Sequence, residues 1–148
     1  MHVTVVTSAG ATRQDPRMDP APLLALMPFA VTTGIELDRA GPGEVAGRLP
    51  WAPERCTAGG VLHGGALMTL ADTVGAVCAF LNLPAGASTS TLASATSLLR
   101  AVRGGTAHAT ARPLHVGRST IVVLTEVTDD DGRPVASVTQ TQAVLAGA

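Results

Sequence analysis

The sequence predicts an α+β domain in which a curved antiparallel β-sheet wraps around one long central α-helix. Three observations carry this expectation. One segment, Val61–Phe80 ("VLHGGALMTLADTVGAVCAF"), is long, largely apolar and helical in period. The residues after it are rich in Val, Thr and Ser and fall into four strand-like runs with no second long helix between them. The order is therefore not an alternation of strand and helix, which disfavours a parallel, doubly wound sheet. At 148 residues the chain reads as one domain, long enough to bury roughly two thirds of the surface its unfolded form would expose.

Residues 1–20 have neither a basic leader nor a long apolar core, so a flexible N-terminal tail is expected there and the domain is placed at 21–148. Ala21–Ala30 reads as a short helix. Ile35–Asp38 and Glu44–Pro50 read as a strand pair joined by "RAGPG". The long helix is expected from about His63 to Leu83. Leu67, Leu70, Ala71, Val74, Val77, Cys78 and Leu81 form its apolar face, and Leu83-Pro84 with Gly86 supplies the stop. Ala66, Met68 and Phe80 extend apolar character around the cylinder, as in a helix covered on most sides. Strands are expected over Ser88–Ala101, Gly105–Val116, Ser119–Thr128 and Pro134–Leu145, the last two joined at Asp131-Gly132.

Charge and cysteine content narrow the function. The formal net charge is −1, and all ten basic residues are arginines scattered along the chain. A nucleic-acid or anionic-lipid surface is not expected from that pattern. Cys56 and Cys78 do not make a disulfide framework, and a reducing, cytoplasmic setting is expected. His63, His108 and His115 lack the paired spacing of metal ligands, so neither a metal nor a cofactor is expected.

Asp72 lies in the middle of the most apolar segment. A membrane span is disfavoured, because an Asp near a bilayer centre costs about 2.5–3.5 kcal/mol on insertion scales and His63, Thr69, Thr73 and Asn82 add to it. A solvated helix position and a carboxylate kept for chemistry remain. Its neighbours at three and four residues, Met68, Thr69, Gly75 and Ala76, leave room beside it. At the helix start Gly64 and Gly65 let a ligand approach free N–H groups at the positive end of the helix dipole. Asp72 lies eight residues beyond Gly64, about 12 Å along the axis, too far for both to act on one carbon. Two antiparallel helices across a twofold axis would instead bring Asp72 of one copy beside Gly64 of the other.

"GGVLHGGALMTLADTVGA", preceded by "LPF"-like "LMPF" and "GIEL" and followed by "HVGRS" and "DDDGRPVASVTQT", resembles the hot-dog fold acyl-CoA thioesterases, in the phenylacetate-pathway (PaaI-like) branch. The resemblance covers roughly residues 22 to 146, and its most specific piece is His-Gly-Gly with an acid nine residues after the His. It implies hydrolysis of an aryl or short-to-medium-chain acyl-CoA by a homodimer, or a homotetramer built as a dimer of dimers. Asp72 would act as general base or nucleophile, the Gly64 amide would polarise the thioester carbonyl from the other subunit, and His63 would hold the thioester end. Ser90 is implied to orient the attacking water or the acid. Gly65, Gly117, Arg118 and Ser119 are implied to lie along coenzyme A; Arg100 and Arg103 are further phosphate candidates. The family's Asn or Gln six residues before the His is Thr57 here, whose hydroxyl cannot copy an amide's two-sided contact. A non-catalytic acyl-CoA-binding module and a thioesterase for carrier-protein-bound chains are the alternatives.

Overall fold

A computed structural model describes residues 18–146. In chain order it contains α1 (Ala21–Ala25), α2 (Pro28–Thr33), β1 (Glu36–Ala40), β2 (Val45–Pro50), a 3-10 turn (Pro53–Arg55), β3 (Cys56–Thr57), β4 (Val61–Leu62), α3 (Gly64–Phe80), β5 (Ser88–Leu98), β6 (Thr106–Val116), β7 (Thr120–Thr128) and β8 (Pro134–Leu145). Six strands form one antiparallel sheet in the order β1-β2-β6-β7-β8-β5, and β3 and β4 form a separate small hairpin. This is the hot-dog arrangement of an antiparallel sheet around a central helix. The expected tail falls largely outside the described residues, and Met18 already pairs with Ala40 (N–H to carbonyl, 3.0 Å).

Alternation decides which side of each strand meets α3. Val45, Gly47 and Leu49 on β2, Ala107, Ala109 and Ala111 on β6, and Ile121, Val123, Thr125 and Val127 on β7 are all buried at every second position. Small residues recur where the helix crosses. At Gly47 a side chain would begin 2.7 Å from the Glu36 carbonyl oxygen and 3.0 Å from Val74 Cγ2, so the sheet and α3 meet there without room for one. From the helix, Leu67, Leu70, Ala71, Val74, Val77 and Cys78 fill the concave side. Cys78 is enclosed on that face, and burial pushes its thiol up to about 11.

Two boundaries differ from expectation for identifiable reasons. The leading helix divides into α1 and α2, because Pro28 has no N–H to donate and drives Met27 out of the helical region (φ −118°, ψ 79°). The long helix ends at Phe80 rather than Leu83. Beyond it the Asn82 side-chain amide donates to the Cys78 and Pro42 carbonyls, both at 2.8 Å, and satisfies the end of the helix by another route. The β3–β4 hairpin was not expected; its tip carries Gly59 and Gly60 in the left-handed region (φ 86° and 69°), which other residues rarely adopt.

The β7–β8 turn is fastened to β6. Asp130 accepts hydrogen bonds from His108 Nε2 (2.7 Å) and the Thr106 amide (3.0 Å), which hold its carboxyl below the usual carboxylate range. A depressed folded-state value adds stability above the unfolded value near 3.9, and that stability is lost as pH falls through the lower folded value. Asp130→Asn should therefore be less stable than the native chain in urea at pH 7, with the gap closing as pH falls below the usual carboxylate range. In the core, Leu70→Ala removes a fully buried side chain, and urea unfolding should show a loss of about 2–5 kcal/mol.

Candidate active site

The sheet covers only part of α3. Along the opposite side Gly65, Met68, Thr69, Asp72, Ala76 and Phe80 form a stripe that the described residues leave at least partly open, with Met68 44% and Phe80 47% exposed. Asp72 is on this stripe and is exposed. Its place in an apolar run follows directly: most of the cylinder is core, and the acid occupies the strip that is not.

The short helix α2 builds a wall beside the stripe. Phe29, 69% exposed, projects between two adjoining clefts. The first is lined by Arg55, Cys56, His63, Gly65 and Thr69 at the start of α3. The second is lined by Met27, Met68, Asp72, Thr73, Ala76 and Ser94. A carboxylate thus stands in a concave surface that is otherwise mostly apolar.

At the start of α3, His63 is the N-cap. Its Nδ1 accepts from the Gly65 amide (2.8 Å), while the His63 carbonyl accepts from the Ala66 (2.8 Å) and Leu67 (3.2 Å) amides. With Nδ1 used as an acceptor, the neutral ring carries its proton on Nε2 and can donate outward. Among the described residues no acceptor is found for the Gly64 amide, which leaves it as the free donor at the positive end of the helix. A side chain at Gly64 would begin 2.7 Å from Leu98 Cδ1 of β5, so the end of β5 lies against this amide.

Asp72 is held from beneath by β8: the Nε2 amide of the fully buried Gln140 donates to its Oδ1. Ser94 is in register with Gln140 across β5 and β8 and lines the cleft with Asp72. Ser90 does not join this group. It pairs with Ala143, on the side of the sheet away from α3. The physical cause is a bulge: the β5 register slips between Thr91 and Ala93, so Thr89 and Thr91 face the helix before it and Ser94 after it.

The other expected residues lie elsewhere. Thr57 is exposed at the base of the β3–β4 turn and is not among the residues lining either cleft. Gly117, Arg118 and Ser119 form the β6–β7 turn, beside the end of β8 through the Val144 amide to Ser119 carbonyl bond (2.8 Å). That is the Ser88 end of β5, opposite to the Leu98 end at Gly64. Arg100 and Arg103 line a separate groove with Asp129, Asp130 and Asp131. Among the described residues no three His, Cys, Asp or Glu side chains converge as a metal site would require. No helix there is long and apolar enough to cross a membrane.

Sequence reasoning missed Gln140 and Ser94. Gln140 carried a readable signal, since it shares the parity of Val138 and Ala136 on a strongly apolar strand. Ser94 carried none, because nothing in "STSTLASATSL" marks the position of the bulge.

Known proteins match this arrangement. The family model described as Thioesterase superfamily matches residues 59–136, from the β3–β4 turn through α3 into β8. Rv1847 of Mycobacterium tuberculosis (strain ATCC 25618 / H37Rv) is 32% identical over 120 residues, 79% of this chain and 86% of that one. The 1,4-dihydroxy-2-naphthoyl-CoA hydrolase of Escherichia coli (strain K12) is 33% identical over 86 residues, 58% of this chain and 63% of that protein. The structure of the Escherichia coli PaaI protein from the phenylacetic acid degradation operon superposes with a TM-score of 0.79 over 86% of this chain and 91% of that one; at 23% identity the likeness is one of fold. With the matched segment spanning the helix start, the acid and the strands that seat them, this chain belongs to the thioesterase superfamily.

Proposed function

We propose that the protein is an acyl-CoA thioesterase of the PaaI-like branch, working as a homodimer on an aryl or short-to-medium-chain acyl group. The observation that carries this reading is the division of labour along α3. The free Gly64 amide and the Asp72 carboxylate, the two groups that thioester hydrolysis needs, lie about 12 Å apart on one helix and cannot share a substrate within one chain.

A second copy resolves the separation. Among the described residues β5 pairs only with β8, which leaves its other edge open over eleven residues, none of them charged. Such an edge is a template for another strand. On β5, Ser94 marks the level of Asp72 and Leu98 marks the level of Gly64. A twofold axis near Thr96 would bring each Asp72 to the level of the other copy's Gly64 and make two equivalent sites. It would also carry the Gly117–Ser119 turn of one copy toward the His63 end of the other, where a nucleotide tail could lie along it. A dimer of dimers would extend this assembly.

In such a site the thioester carbonyl oxygen takes the Gly64 amide and the His63 Nε2–H of one copy. Asp72 of the other copy attacks the carbonyl carbon directly or removes a proton from the water that does, with Ser94 orienting that water in the role the resemblance assigned to Ser90. The tetrahedral oxyanion forms against fixed donors and collapses with cleavage of the C–S bond; in the general-base route Asp72 passes the water's proton to the coenzyme A thiolate, and in the nucleophilic route water hydrolyses the acyl–Asp72 anhydride before free acid leaves. Phe29, Met27 and Met68 would flank the acyl group. The Escherichia coli relative that hydrolyses 1,4-dihydroxy-2-naphthoyl-CoA supports an aryl thioester, and the apolar walls suit one.

Free-thiol release from a panel of aryl, short, medium and long acyl-CoAs tests the reading. Asp72→Asn should lose about 10²–10⁴-fold in kcat on the best ester while remaining dimeric. Wild-type turnover in that variant would overturn the role of Asp72, and release only from a pantetheine-linked carrier protein would move the substrate class. Gly64→Pro isolates the donor when set beside Gly64→Ala: both place a Cβ 2.7 Å from Leu98 Cδ1, whose flexible end must give way, but only proline, tolerated at the first helical position and suited to the extended His63 before it (φ −62°, ψ 136°), removes the N–H. It should lose about 10²–10³-fold in kcat. Refolding the two inactive variants together should restore about a quarter of wild-type activity, because half the dimers carry one intact composite site. No recovery would place both groups in one chain.

A further inference from the structure

We infer that Gln140 is the positioning residue of Asp72, and that Gly75 is kept free of a side chain to seat it. This rests on the reading of Asp72 as the working carboxylate.

Gln140 lies in the middle of β8 with no exposed surface, in register with Val123 on β7 and Ser94 on β5. A Leu or Met there would have similar volume and would itself add no polar atom to the core. Instead the chain buries an amide whose Nε2 makes one hydrogen bond, to Asp72 Oδ1, and whose Oε1 has no partner. An amide placed for stability alone would be satisfied at both ends. This one is satisfied only at the carboxylate, the group that stands in the cleft.

α3 is shaped around it. A Cβ at Gly75 would overlap Gln140 Oε1 and lie 3.2 Å from Thr125 Oγ1. Glycine inside a helix is unfavourable on backbone grounds, yet here it opens the space the amide occupies. Thr125 Oγ1 is also buried without a partner and faces the same gap.

The chemistry follows from what an amide can and cannot do. It donates to Oδ1 and so fixes the plane of the carboxylate, leaving Oδ2 toward the cleft. It neither takes nor releases a proton near neutral pH, so it directs Asp72 without competing for the proton that Asp72 handles. The position resembles the outer hydrogen bonds that orient ligands and bases in other sites, whose removal costs rate more than binding.

Gln140→Met and Gln140→Glu test the assignment beside Asp72→Asn, on the ester the native enzyme turns over best. In the Met variant kcat should fall about 10–100-fold, with KM within about threefold. In the Glu variant the introduced carboxyl can donate to Asp72 only while it holds its proton, so turnover should be best on the acid side and fall as pH rises. Asp72 is the one titratable side chain lining its cleft, and the groups that face Gln140 from β7, β5 and α3, namely Val123, Thr125, Ser94 and Gly75, do not titrate in that range. A residue of structural importance alone would lower thermal stability while leaving the kcat of the folded dimer and its pH profile as in the native enzyme. That result, with Asp72→Asn inactive, would overturn the positioning role and leave Asp72 in place. Native turnover in Asp72→Asn would overturn both. If the Met variant does not fold, the pH profile of the Glu variant decides.

Discussion

The burial of α3 in the concave side of the sheet is the contact on which the rest of the structure depends. It is achieved by removing side chains as much as by supplying them: Gly47 and the alanines of β6 let the helix approach, and Leu70, Val74 and Cys78 fill what remains. A sheet that curves around a helix leaves one strip of it uncovered. That strip carries Met68, Asp72 and Phe80. The site is therefore a by-product of how far six strands can reach around a cylinder.

In the proposed mechanism the same helix supplies two kinds of chemistry by different means. At its start the donor is main chain, set by the end of the hydrogen-bond ladder and kept free by a histidine cap that occupies the next amide. In its middle the carboxylate is side chain, so its direction has to be imposed from outside, and β8 imposes it through Gln140. The main-chain group needs only the fold to be correct. The side-chain group needs a further contact, which is why a buried amide stands where the core would accept a hydrocarbon.

Much of this was legible in the residues. The period of Leu67, Leu70, Val74 and Val77 gave away α3, and the β-branched content of Ser119–Thr128 and Pro134–Leu145 gave away its supporting strands. The positions of His63, Gly64 and Asp72 could be read because helical spacing is regular and converts directly into distance. What escaped was whatever depended on an irregularity. The bulge in β5 reversed the parity that counting from Ser88 would assign, and moved the cleft hydroxyl from Ser90 to Ser94. Met27 and Pro28 broke one helix into two and so placed Phe29 over the cleft, a result of backbone restriction that composition alone did not reveal. Gln140 escaped for a different reason: its partner is 68 residues away in sequence, and no local pattern records a contact of that range.

The open side of β5 has a consequence for the life of the chain before it is ever an enzyme. Natural edge strands are usually blunted by lysines, prolines or inward charges, and Ser88–Leu98 has none of these. A freshly folded copy carries unsatisfied main-chain donors and acceptors along that side, flanked by Leu92 and Leu98, which are 63% and 53% exposed. Until the second copy of the proposed dimer arrives, the surface is equally open to any extended chain nearby. The rate of encounter between copies, set by how much protein is being synthesised at once, then competes with misassociation, so low expression is the condition in which this chain is most vulnerable.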